Sequence, residues 1–164
     1  MKQAFQPLLA PGRHVMDISR LQSLTVTRFP NSARRPQMFS ELQRLIADLN
    51  AISVTAELWI DGSFMTEKEE PDDIDLSFSP WVSALEKLGL PVQTAVFNGL
   101  NGGKKYSPWL DTYVCVRFPQ DDPRRGADKT NYWSEKWGKG WDDWLKGYAV
   151  IKLGETDVGH RLFT

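Results

Sequence analysis

AELWIDGSFMTEKEEPDDIDLSF, residues 56 to 78, sets two short apolar runs on either side of a Gly-Ser turn and an acidic spacer. Residues 56 to 60 form a compact apolar run that stops at the turn signal Asp61-Gly62, and residues 74 to 78 alternate apolar and polar side chains. Both read as strands. A glycine directly after a strand lets backbone N–H groups approach a phosphate, and the adjacent serine hydroxyl adds a donor. Gly62 and Ser63 are therefore candidate phosphate-binding residues. Residues two apart on a strand point to one face, so Asp73 and Asp75 present two carboxylates side by side. Such an all-oxygen environment suits Mg²⁺ or Mn²⁺, with further ligands drawn from water and substrate phosphates. A third carboxylate on a neighbouring strand would let a second ion bind about 3.5 to 4 Å from the first. Asp111, where a β-branched and aromatic strand over residues 112 to 117 begins, is the candidate, with Asp61 the weaker alternative.

Upstream, Met38, Phe39, Leu42, Leu45, Ile46 and Leu49 recur at helical spacing, which predicts an amphipathic helix over residues 37 to 50. Residues 7 to 36 carry Pro7, Pro11, Gly12, Pro30 and Pro36 and read as an irregular arm, interrupted by a short helix from about Asp17 to Ser23. Downstream, Ser79 as N-cap and Pro80 in the first turn predict a helix to about Leu88, which Gly89 and Pro91 end; a strand is expected at Val92 to Phe97. NGLNGGKK, residues 98 to 105, reads as a loop whose Lys104 and Lys105 are candidate nucleotide-binding residues. A polar loop and a tryptophan-rich segment, residues 131 to 145, follow, and then a strand over residues 148 to 153. Trp133, Trp137, Trp141 and Trp144 would form one stripe on a helix, which is more often core than a stacking surface. The pattern predicts one domain of α/β or α+β class: an arm (1–36), a mixed-sheet core with helices packed on it (37–118) and an aromatic-rich C-terminal segment with a final strand (119–164).

The chain has 164 residues, 41% of them hydrophobic, enough for one sizeable core. Twenty basic against 21 acidic side chains leave no overall field to draw it onto nucleic acid or an anionic membrane. With Cys115 the only cysteine, an internal disulfide and a cysteine-based zinc site are excluded, which fits a reducing cytoplasm. Residues 1 to 14 lack the apolar core of a signal peptide, and no run of about 18 apolar residues occurs, so no membrane association is expected. His14 and His160 are isolated and receive no metal or acid–base role.

An apolar residue, Gly-Ser, roughly ten residues, Asp-x-Asp and a later third Asp resembles the signature of the polymerase-β-type nucleotidyltransferase superfamily. Ile60, Gly62, Ser63, Asp73, Asp75 and Asp111 occupy those places. Through WIDGSFMTEKEEPDDIDL, NYWSEKWG and KGYAVIKL the chain also resembles a family of short bacterial and phage proteins of largely unknown function with a nucleotidyltransferase-like core. The resemblance implies transfer of a nucleoside monophosphate from an NTP such as ATP to a hydroxyl on RNA, protein or a small molecule, with release of pyrophosphate. Asp73 and Asp75 would hold two Mg²⁺ or Mn²⁺ ions, Asp111 would complete the nucleophile side, and Gly62 and Ser63 would orient the phosphates. It further implies a toxin–antitoxin or phage-defence setting, in which a protein partner, an RNA acceptor or a second copy of the chain completes the site. Small antitoxin-type members follow Gly-Ser with an arginine-glycine turn, where this chain has Phe64, Met65, Thr66 and Glu67. Glu67, Glu69, Glu70 and Asp72 add four negative charges to the spacer, which Lys68, Lys104, Lys105, Arg124 and Arg125 would have to compensate. Those departures favour an alternative expectation: a binding module that has lost turnover and serves as an antitoxin or regulatory subunit.

Overall fold

The computed structural model describes residues 4–127 and 146–154. Its sheet has five strands, β1 (Gly12–Val15), β2 (Ala56–Asp61), β3 (Ile74–Pro80), β4 (Leu110–Val114) and β5 (Gly147–Leu153), in the order β1-β5-β2-β3-β4. β1 runs parallel to β5, and β4 parallel to β3, while β2 is antiparallel to both of its neighbours. With the helices α1 (Ile18–Gln22), α2 (Arg34–Ala51), α3 (Val82–Glu86) and α4 (Leu90–Leu100), this is a mixed-sheet α+β fold. No helix among the described residues is long and apolar enough to cross a membrane.

The period-2 alternation of the strands divides the sheet into two faces of different chemistry. Leu58, Ile60, Ile74, Leu76, Phe78, Leu110, Ala149, Ile151 and Leu153 join Met38, Phe39, Leu42, Leu45 and Leu49 of α2 in the main core. The other face carries Glu57, Trp59 and Asp61 on β2, Asp75, Ser77 and Ser79 on β3, and Asp111 and Tyr113 on β4. Trp59, Tyr148 and Val150 form a small second cluster there, with the two rings 5.5 Å apart.

The amphipathic helix predicted over residues 37 to 50 is α2, one turn longer at its N-terminus. Downstream the structure corrects two expectations. β3 continues through Pro80 because β2 pairs with it all the way to Ala56 opposite Pro80, so the helix begins only after Trp81. Residues 92 to 97, expected as a strand, lie in α4, where Pro91 occupies the first turn and its missing N–H is no loss. The run is too short and too uniformly uncharged for periodicity to decide; burial at Val96 and Leu100, one helical turn apart, does. The strand expected at residues 112 to 117 starts two residues earlier, and the arm contains β1, which the prolines obscured. The tryptophan-rich segment and its stripe lie outside the described residues.

Candidate active site

Asp61 on β2 stands opposite Asp75 on β3, and Asp75 stands opposite Asp111 on β4. In-register partners share a face, so three aspartates form one row across three adjacent strands, with Asp73 two residues before Asp75. The structure thus sets two of the carboxylates predicted from sequence, Asp75 and Asp111, in one row with Asp61, the weaker alternative, and leaves Asp73 just before β3.

Gly62 ends β2 with φ at +80°, and a Cβ there would lie 2.3 Å from Asp75 Oδ2. Two constraints, a left-handed backbone and direct contact with a carboxylate, therefore require glycine. Ser63 opens a single turn of 3₁₀-helix, Ser63–Met65. Its Oγ accepts from the Asp72 N–H at 3.3 Å, and its carbonyl accepts from Thr66 Oγ1 at 2.7 Å. The serine closes the spacer on itself just before Asp73.

Arg35, fully buried on α2, shapes the rest of the spacer. Its Nη1 donates to the carbonyls of Thr25 and Phe64, both at 2.9 Å, and its Nη2 to those of Thr66 at 2.7 Å and Lys68 at 2.6 Å. Nε adds the Glu69 carbonyl at 3.3 Å, and the guanidinium lies 3.6 Å from the centre of the Phe29 ring. Burial lowers its pKa to about 10, against the pull of Glu69 and Glu70, so it stays charged at neutral pH. The rigid five-donor fork is what allows one side chain to gather so many carbonyls.

The acidic spacer is less of an obstacle to an anion than its composition suggested. Glu67 pairs with Arg28 at 2.7 Å, and Asp72 pairs with Lys68 at 2.6 Å. Glu70 accepts from the N–H groups of Ala33 at 2.8 Å and Arg34 at 3.0 Å, at the positive end of α2. Three of the four acids are thus engaged away from the aspartate row.

Two lysines meet the row. Lys104 Nζ lies 2.8 Å from Asp73 Oδ2, and its pKa is raised by Asp73 first, with Asp111 and Asp72 contributing. Its loop is fastened to β4: Gly102 N–H donates to the Thr112 carbonyl at 2.9 Å, and Thr112 N–H to that of Gly103 at 3.1 Å. Both glycines have positive φ, +94° and +81°. Lys105 instead donates to the Asn101 carbonyl at 2.9 Å, within its own loop. Lys68 is engaged with Asp72, Arg124 with Glu86 and Asp122, and Arg125 lies in a short helical turn, Pro123–Ala127.

The second lysine is Lys146, which sequence reasoning missed. Its Nζ lies 2.8 Å from Asp61 Oδ1, and Asp61 is only 2% exposed. Burial pushes the Asp61 carboxyl up to about 7, with Lys146 opposing and Asp75 adding to the rise. A signal did exist: an aspartate at the buried end of an apolar strand needs a cation, and Lys146 directly precedes the strand that pairs beside it.

Asp111 Oδ1 is buried without a hydrogen-bond partner among the described residues. Two residues on, the Tyr113 phenol is raised by burial and then by Asp111, Asp75 and Asp73. Among the described residues no three carboxylate, imidazole or thiol groups converge closely enough to hold a metal ion. Neighbouring strands stand about 4.8 Å apart, so the row spreads its carboxylates along a line.

No curated protein and no solved structure matches the chain. A family model, described only as a family of unknown function, matches residues 2–152, nearly the full length. The chain therefore belongs to the DUF6932 family.

Proposed function

We propose that the chain is a metal-dependent nucleotidyltransferase, moving a nucleoside monophosphate from an NTP to a hydroxyl acceptor. The observation that carries the reading is the row Asp61, Asp75 and Asp111, with the Gly62 backbone pressed against the Asp75 carboxyl. A Gly-Ser turn after one strand, Asp-x-Asp on its antiparallel neighbour and a third aspartate on the next strand is the arrangement that such chemistry needs. Asp73, Asp75 and Asp111 are the residues that would hold Mg²⁺ or Mn²⁺, and the unpartnered Asp111 Oδ1 is consistent with that role. The ions would neutralise the polyphosphate and lower the pKa of the attacking hydroxyl.

The protein's own contribution is positioning. Ser63 would offer its backbone N–H and hydroxyl proton to the β and γ phosphates, and Gly62, whose own N–H turns to the Asp61 carboxylate, would leave room for them, on a turn held by Asp72 N–H and by Arg35 behind it. On this reading Asp111, beside Tyr113, would take the proton of the acceptor hydroxyl. Lys146 keeps the buried Asp61 paired, so that carboxylate supports the turn rather than repelling substrate. An acceptor on RNA or on a toxin-like protein partner, in a cytoplasmic defence setting, extends the same proposal and rests on the family resemblance.

A second reading is that the site binds without turning over, as an antitoxin or regulatory subunit. It draws on Asp61 and Asp73 already having lysine partners and on no three carboxylates converging. Titration calorimetry of each NTP, with and without Mg²⁺, into the wild type and the Asp73→Asn/Asp75→Asn variant tests the first reading. Metal-dependent binding of at least one NTP is expected in the wild type and absent in the variant. No binding by the wild type under any metal condition sinks the enzyme reading and leaves the second.

A further inference from the structure

Lys104 and Lys146 meet the aspartate row in opposite ways. The Lys146–Asp61 pair is sealed, with the two side chains 14% and 3% exposed. Lys104 is 43% exposed and Asp73 23%, and an ion pair that open to water is weak and easily exchanged. The backbone beneath Lys104 is nonetheless fixed, because Gly102 and Gly103 bond to Thr112 of β4. The anchored backbone leaves any exchange to the side chain alone. Lys105 is directed elsewhere, to the Asn101 carbonyl of its own loop. A divalent cation attracts a carboxylate such as Asp73 more strongly than a single ammonium group does.

We propose that Lys104 is an exchangeable counter-ion: without nucleotide it occupies Asp73 in place of a divalent cation, and on loading it transfers to the triphosphate. This rests on the nucleotidyltransferase reading. One side chain then performs two tasks of opposite sign. It restrains cation binding while no nucleotide is present, and it supplies the positive charge that the spacer lacks once the phosphates arrive. The site is thereby biased to load cation and nucleotide together.

The test compares the wild type with Lys104→Met, which keeps the length of the side chain and removes its charge, and with Lys105→Met as a control. Mn²⁺ alone is titrated and followed by electron paramagnetic resonance; the best-bound of the four NTPs is then titrated with Mg²⁺ by calorimetry. Lys104→Met is expected to bind Mn²⁺ roughly two- to fivefold more tightly. The same variant is expected to bind the Mg²⁺-loaded NTP about tenfold more weakly, the loss of one charge-assisted hydrogen bond. Lys105→Met should match the wild type in both. If the wild type binds Mn²⁺ and NTP and Lys104→Met equals it in either titration, the exchange is overturned and the nucleotidyltransferase reading stands. If the wild type binds neither, that reading fails and the exchange falls with it.

Discussion

Arg35 is the residue on which the geometry of the site most depends, although it touches none of the aspartates. Its side chain is enclosed and gathers five backbone carbonyls, four of them in the spacer between Gly62 and Asp73. Removing it leaves those carbonyls without their donor and opens a cavity against Phe29 and Phe64. Arg35→Ala is expected to destabilise the fold by about 3 to 5 kcal/mol, read by urea denaturation. Arg35→Lys should recover little of that, because one ammonium group cannot reach carbonyls arranged around a planar fork. A loss below about 1 kcal/mol would mean the spacer holds its shape without the arginine. In the sequence Arg35 falls in the irregular arm, just before the amphipathic helix predicted from residue 37. The shared face of Asp75 and Asp111 is legible because spacing along a strand fixes which face a side chain takes, whereas Asp73 precedes β3. Arg35, Lys146 and the standing of Asp61 are not legible, because each depends on a neighbour distant in sequence.

At the scale of elements, what could be read depended on how much one face differs from the other. α2 has a strong apolar stripe and is legible; α4 has no charged residue to mark a solvent face, and its residues 92 to 97 read as a strand and 98 to 100 as loop. Helix ends were harder still, since the N-terminus of α2 has no cap in its own local sequence beyond Ser32. Ala33 at the N-cap position has no capping side chain, and Glu70, remote in sequence, accepts from the Ala33 and Arg34 N–H groups. These bonds, that from Ala33 largest, hold the Glu70 carboxyl below its ordinary value of 4.5. A depressed folded-state pKa means stability that is present above the unfolded value and is lost as pH falls through the folded one. Glu70→Ala should therefore melt at a lower temperature than the wild type at pH 7, with the gap closing by about pH 2. A gap of equal size at both pH values would assign the effect to packing rather than to the charged cap. Calorimetric scans of the two proteins at the two pH values decide it.

For the molecule as a whole, the N-terminal arm connects the far edge of the sheet to the site. Gln6 and Leu8 bond to Glu67 and Met65 of the spacer, at 2.8 and 2.9 Å, so the arm grips from outside the loop that Arg35 grips from inside. A few residues on, β1 pairs with β5, and Glu57 on the second sheet face accepts from both Arg13 of β1 and Trp59 of β2. Gly147 is the point where these contacts meet. It opens β5 directly after Lys146, its N–H donates to the Leu9 carbonyl at 3.3 Å, and a Cβ there would lie 2.1 Å from the Ala10 carbonyl oxygen. That obstacle is backbone, so Gly147→Ala must push the arm off the strand. The expected cost is about 1 to 3 kcal/mol, with cleavage by a protease of low specificity appearing first within residues 4 to 15. Displacing the start of β5 also shifts Lys146 from Asp61, which takes a cation away from the aspartate row and lets burial raise the Asp61 carboxyl further. NTP binding should therefore weaken in Gly147→Ala, at a glycine that offers no group to a nucleotide. Early cleavage of the arm with unchanged NTP affinity would separate the two, and would show that the arm stabilises the sheet without setting the charge balance of the aspartate row.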